Sequence, residues 1–157
     1  MFKNDTQKKA FETVGKYLEQ TFGKGFVRRP DVPSYVGTQG SCLVEVWVYA
    51  RGSNEAVVNV RSCCVLDIGE IPPDCLKFLL EENFKFVFGA FSLDSDGDIN
   101  FEHTLLAGKL DREELEASVK AVLTTADEYD DRIVREWGGV TGREKLLRRA
   151  REQGLVA

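Results

Sequence analysis

The chain has 157 residues, with 21 Lys or Arg against 26 Asp or Glu and a formal net charge of −5. That length suits one domain rather than two, and a hydrophobic content of 43% supplies a packed core. The acidic balance opposes wrapping of duplex DNA, no apolar run reaches the roughly 18 residues of a membrane span, and a single histidine excludes a multi-histidine metal site.

The N-terminus, Met1 to Asp5, is polar and lacks the apolar core of a signal peptide. Cys42, Cys63, Cys64 and Cys75 contain no Cys-x-x-Cys pair, so neither a zinc ribbon nor a thioredoxin-like motif is present. These features describe a cytoplasmic, reduced protein whose thiols are small packing residues. Cys63 and Cys64, adjacent in an apolar run, are expected on opposite faces of a strand.

Residues 5–23 read as an amphipathic helix capped by Asp5 or Thr6, with Phe11, Val14, Leu18 and Phe22 on one stripe. Residues 25–40 hold Pro30 and Pro33 and read as loop with room for a short edge strand. The Gly37-Thr38-Gln39-Gly40 segment lacks the spacing and the lysine of a phosphate loop. Cys42 to Ala50 and Ala56 to Leu66 alternate as two strands joined by a hairpin loop over Arg51–Glu55. Val44, Val46 and Val48 share a face with Val58, Val60 and Cys64. The opposite face carries Glu45, Trp47 and Tyr49 beside Asn59 and Arg61.

Ile71-Pro72-Pro73-Asp74 opens a short helix running through Glu82, with Leu76, Leu79 and Leu80 as its apolar stripe. Phe84 to Leu93 is apolar on both faces, the pattern of a central strand or of one at an interface. Asp98 to Ala107 places Ile99, Phe101, His103 and Leu105 on one side and Asn100, Glu102 and Thr104 on the other. A long helix runs from Asp111, with Glu114 three residues on, to about Trp137, stopping at Gly138-Gly139. Its stripe is Leu115, Val119, Val122, Ala126, Ile133 and Trp137. Thr141 to Gln153 is a basic helix with Arg143, Lys145, Arg148, Arg149 and Arg151. Glu144 and Glu152 interrupt its charge, so nucleic acid is not the expected partner.

Three constellations bear on chemistry. Asp94-Ser95-Asp96-Gly97-Asp98 fits an EF-hand frame at the third, fifth and sixth positions, with Ser92 at the first and His103 in place of the closing glutamate. Strand-like flanks make it a hairpin turn; a calcium-responsive loop at Asp94, Asp96 and Asp98 is the alternative. His103 is the only imidazole available to a nucleophilic pair, and it falls on an apolar face, so a small enzyme using His103 is the second alternative. Asp127, Glu128, Asp130 and Asp131 cluster late in the long helix. No second group of metal ligands pairs with them in the sequence, so a solvated face, or one compensated by Arg132, Arg135 or the basic tail, is expected. No catalytic or metal-binding residue is assigned.

The order helix, three strands, helix, two strands, long helix resembles the αβββαββα plan of type III secretion chaperones and of the YbjN-type bacterial proteins. The matching stretches are Leu79-Leu80-Glu81-Glu82-Asn83, Leu93-Asp94-Ser95-Asp96-Gly97-Asp98-Ile99, Leu110-Asp111-Arg112-Glu113-Glu114-Leu115, Ala126-Asp127-Glu128-Tyr129-Asp130 and Gly138-Gly139. The likeness covers roughly residues 5–139, and the basic 141–153 helix extends past it. It implies a single α+β domain over residues 1–157 with an antiparallel sheet packed by helices. It also implies a homodimer that binds client proteins or peptides, with no catalysis and no cofactor. On the face opposite the valines, Trp47 and Tyr49 are the expected contact residues, with Asn59 and Arg61 supplying polar contacts to an extended backbone.

Overall fold

A computed structural model describes residues 1–39 and 42–152, so Gly40 and the Gln153 end of the basic tail lie outside the described residues. The elements in chain order are α1 (Asp5–Phe22), β1 (Phe26–Arg28), β2 (Ser34–Gln39), β3 (Cys42–Arg51), β4 (Glu55–Leu66), α2 (Pro73–Asn83), β5 (Ala90–Leu93), β6 (Ile99–Leu106), α3 (Arg112–Trp137), β7 (Val140–Thr141) and α4 (Gly142–Glu152). Six strands form one antiparallel sheet in the order β1-β2-β3-β4-β6-β5, and β7 pairs with β4 off that path. The fold is α+β, an antiparallel sheet packed by helices with an added C-terminal helix.

The register Val46↔Val60 and Val60↔His103 runs across the centre of the sheet. Because side chains alternate with a period of two, this register gathers Val44, Val46, Val48, Val58 and Val60 on one face, all buried. α1 and α3 pack on that face. Phe11, Val14 and Leu18 come from α1, and Leu115, Val119, Val122, Ala126 and Ile133 from α3, the expected stripes, into one continuous core. Each such side chain contributes about 1.5–3 kcal/mol when fully buried. Midway along α1 a Cβ at Gly15 would collide with the Tyr35 ring. Its absence lets the Tyr35 hydroxyl donate to the Phe11 carbonyl at 3.1 Å while the two rings stack 4.5 Å apart.

Caps follow chemistry, with one shift. Asn4, not Asp5 or Thr6, caps α1: its backbone is extended and its Oδ1 accepts from Gln7 N at 2.7 Å. Asp111 caps α3 by accepting from Glu114 N at 2.8 Å. β4 carries a bulge between Cys63 and Val65, which puts both Cys64 and Val65 in the core while Cys63 faces the other way. Beyond the bulge, β7 pairs Val140 with Leu66, and α4 packs against β3, β4 and β7.

The Phe84–Leu93 segment is not a central strand. Phe84 caps α2, the chain loops through Gly89, and only Ala90–Leu93 pairs, at the sheet edge. Asn83 fixes the re-entry: its Oδ1 accepts from Phe91 N at 2.6 Å and its Nδ2 donates to Phe91 O at 3.2 Å. The phenylalanines therefore separate. Phe86 turns inward onto Phe91, Phe101 and Tyr129, whereas Phe84 and Val87 are 93% and 97% exposed. The α2 stripe is also displaced. Cys75, Leu79 and Glu82 are its buried positions, and Leu76 and Leu80 face outward.

Gly89 sits at φ 78°, and a Cβ there would lie 2.7 Å from Phe101 and 2.8 Å from the Glu102 carbonyl. Gly89→Ala is expected to destabilise the protein by at least about 2 kcal/mol through left-handed strain and this clash. Urea unfolding measures it, and a midpoint unchanged from wild type contradicts the packing described.

Candidate interaction surfaces

The face of the sheet away from α1 and α3 is ordered by the same register. One row is Tyr49–Val57–Leu106, the next Trp47–Asn59–Thr104, and the third Glu45–Arg61–Glu102. The structure therefore brings together Trp47, Tyr49, Asn59 and Arg61. The Trp47 and Tyr49 rings stack 5.7 Å apart and nearly parallel, at 3°. Tyr49 is 39% exposed and Trp47 half-buried. Arg29 and Arg61 lie over the Trp47 ring at 5.5 and 5.1 Å, cation–π contacts worth about 0.5–1 kcal/mol each at such exposure.

Glu45 is the hub of this surface. Its Oε2 accepts from Trp47 Nε1 at 2.9 Å and from Arg61 Nε at 2.9 Å, and Arg29 pairs with its Oε1. Burial pushes its carboxyl up, yet the hydrogen bonds from Trp47 and Arg61 and the two guanidinium charges outweigh it, and the net shift is downward. Asn59 is only 6% exposed, and its amide nitrogen donates to Glu102 at 2.8 Å and Thr104 at 2.9 Å. Arg61 thus holds the Trp47 ring in place as well as edging it, while Asn59 ties β4 to β6 beside it. Arg29 was not foreseen from the sequence, because it reaches Glu45 from the turn after β1, where no periodicity reports a side chain's direction.

A second surface lies at the α2–β5 edge. Leu76, Leu80, Phe84, Val87, Phe88 and Leu93 are all exposed large apolar side chains. Leu76, Leu79, Leu80, Phe91 and Leu93 line a shallow cavity there of about 260 Å³. The surplus of leucines over one helical stripe in α2 was its sequence signal.

The other candidates resolve differently. Asp94 Oδ1 accepts from the backbone N–H groups of Asp96 and Asp98, both at 3.0 Å, and its Oδ2 accepts from Asn100. Asp98 Oδ1 accepts from Asp67 N at 3.1 Å. The loop is a hairpin turn in which the Asp94 carboxylate satisfies the turn's own backbone and the Asp98 carboxylate ties it to Asp67. His103 Nδ1 lies 3.0 Å from Ser118 Oγ, but Ser118 is completely buried and Phe88 packs over the imidazole at 4.3 Å. No substrate reaches that hydroxyl. Burial lowers the histidine's pKa, with Glu114 opposing. Burial also pushes Cys63 up to about 12 and Cys75 to about 11, the condition of unreactive packing thiols.

The late-helix acids are not a simple solvated face. Asp130 is 3% exposed, and burial pushes its carboxyl up to about 6. Among the described residues Asp130 makes no ion pair. Arg132 pairs with Glu136, Lys145 with Asp67 and Arg148 with Glu144. Instead the tertiary fold brings Cys42 to Asp127 and Asp130.

The family model described as "T3SS (YopN, CesT) and YbjN peptide-binding chaperone 1" matches residues 9–145, and the chain belongs to that family. Among solved structures the chain resembles that of the ExsC–ExsE complex, with a TM-score of 0.61 at 15% identity over 80% of this chain and 93% of that one. It also resembles the HopA1–SchA chaperone–effector complex, with a TM-score of 0.60 at 13% identity over 79% and 96%. A third likeness is to the Yersinia pestis type III secretion chaperone SycH in complex with a YscM2 fragment, with a TM-score of 0.53 at 13% identity over 76% and 98%. No functionally curated protein matches the sequence. Among the described residues no helix is long and apolar enough to cross a membrane.

Because the hub carboxyl has a depressed folded pKa, its stabilisation is complete above the ordinary glutamate range and is lost as pH falls through the lowered folded value. Glu45→Gln should cost about 1–2 kcal/mol at neutral pH, between an exposed ion pair and a buried charged hydrogen bond. The deficit relative to wild type should shrink on acidification below that range. Chemical denaturation across pH tests it; a deficit independent of pH overturns the assignment.

Proposed function

We propose that this protein is a non-catalytic chaperone-like module that binds extended segments of client proteins in the cytoplasm and works as a homodimer, with residues 1–157 acting as one domain. The observation that carries this reading is the stacked Trp47–Tyr49 pair, held half-open on a sheet face that α1 and α3 do not cover. Exposed apolar surface in a chain that already has a complete core marks a partner site. An extended peptide crossing the rows would meet Tyr49, Val57 and Leu106 as apolar ground. Trp47 would be its anchor, and Asn59 and Arg61 its polar edge.

The second copy is assigned to the α2–β5 flank. Phe84 and Val87 are nearly fully solvated in the monomer, and among the described residues β5 leaves one backbone edge unpaired beside them. Covering both in a symmetric contact removes the apolar patch and the open strand edge together. Client capture and self-association then use different faces. Nucleic acid and membranes are not partners in this reading, and no cofactor is required.

Trp47→Ala should weaken client capture by about tenfold or more while the thermal transition stays cooperative. Pull-down from the native host, comparing wild type with the variant by quantitative mass spectrometry, reads this directly. Equal recovery by both proteins removes Trp47 from the site, and loss of the folded transition makes it a core residue.

Leu80→Asp combined with Val87→Asp should halve the mass seen by light scattering, with stability changed by less than about 0.5 kcal/mol per exposed site. A monomeric wild type, or a variant that stays dimeric, defeats the assignment of this flank.

A further inference from the structure

Val44 pairs with Ser62 at the end of the hairpin where β3 begins and β4 finishes. Continued by one pleat, that register would set Cys42 directly against Cys64. The bulge of β4 interrupts its ladder with β6, not its ladder with β3. At the same end the Ser62 hydroxyl donates to the Leu43 carbonyl at 2.9 Å and ties the two strands together. Cys42 and Cys64 are 4% and 1% exposed, and both belong to the one core cluster. Cys42 is also near enough for its charge to bear on the Cys64 thiol.

Opposed residues of an antiparallel pair have Cα atoms about 4.5–5.5 Å apart, and a disulfide spans about 4.4–6.8 Å between Cα atoms. A cross-strand pair in this register therefore admits the bond without displacing either strand. Both residues carry thiols in this structure. Cys63 is no substitute for its neighbour, because alternation turns it to the opposite face of the sheet.

We propose that Cys42 and Cys64 form a cross-strand disulfide when the protein meets hydrogen peroxide. Cys42 reacts first: it stands at a strand end, and its Sγ hydrogen bonds, at 3.9 Å, to Oδ1 of Asp127, which opens to solvent. Burial holds the Cys64 thiol well above its ordinary value, so Cys64 is the resolving partner. The Cys42 sulfur attacks one peroxide oxygen, the O–O bond breaks, and hydroxide leaves with the thiol proton as water. The Cys64 sulfur then attacks the resulting sulfenic acid. The S–O bond breaks, and its hydroxyl departs with the Cys64 proton as a second water. Two thiols are oxidised and one peroxide is reduced. The bond would staple β3 to β4 and fix the register of the two strands that carry Trp47, Tyr49, Asn59 and Arg61.

The test treats the full, reduced chain with hydrogen peroxide, blocks the remaining thiols with an alkylating reagent under denaturing conditions, and measures the intact mass. The expected product has lost two hydrogens and takes two alkyl groups where the reduced chain, with four cysteines, takes four. Dithiothreitol should restore all four. Peptide mapping of Cys63→Ser, in which Cys64 is the only thiol of its peptide, should show Cys42 joined to Cys64. Cys42→Ser should abolish the internal link, and the oxidised wild type should melt at a higher temperature than the reduced form. Four alkylatable thiols after peroxide, a link that survives in Cys42→Ser, or cross-linking only between chains overturns the assignment. Because the mapping is done on a chain that keeps both buried thiols, it decides the matter even if Cys42→Ser fails to fold.

Discussion

One registration, Val46 against Val60 and Val60 against His103, determines where nearly every residue of the sheet goes. A slip of a single position in β4 would carry Val58, Val60 and Cys64 to the solvent face and bring Asn59 and Arg61 into the core. Burial of five valines under α1 and α3 makes such a slip prohibitive, at about 1.5–3 kcal/mol for each side chain. The core thereby also arranges the opposite face. Trp47, Tyr49, Asn59 and Arg61 are neighbours because the valines between them are buried.

That opposite face is close to electrically neutral and internally bonded. Arg29 and Arg61 meet Glu45, and Asn59 bridges Glu102 to Thr104. Such a network fixes the Trp47 ring in one orientation, which would lower the entropy lost in the binding proposed for this face. The α2–β5 flank is built differently. Its side chains are apolar and extended into solvent, with Asn83 clamping the Phe91 backbone behind them. On the proposed reading, the ordered aromatic platform serves client capture and the apolar flank serves self-association.

Likeness to chaperone structures at 13–15% identity is intelligible in the same terms. The fold requires alternation in β3, β4 and β6, stripes on α1 and α3, and caps at their ends. Many sequences meet those conditions. Surface residues are unconstrained by them, so likeness of fold does not by itself carry over partner-contacting side chains.

Periodicity made β3, β4, β6, α1 and α3 legible in the sequence, because each is long enough to show one buried face, and α3 announced its own cap at Asp111. The membership of the Trp47 surface was legible for the same reason. Phe84 to Leu93 misled because its hydrophobicity reflects two destinations, Phe86 inward and Phe84 and Val87 outward, and local pattern does not distinguish them. The Asn83 clamp, the Arg29–Glu45 pair, the displaced α2 stripe and the meeting of Cys42 with Asp127 and Asp130 were decided only by tertiary structure. Each joins residues whose relative direction depends on loop paths and helix docking, and those are set by the packing of the whole core rather than by any local period.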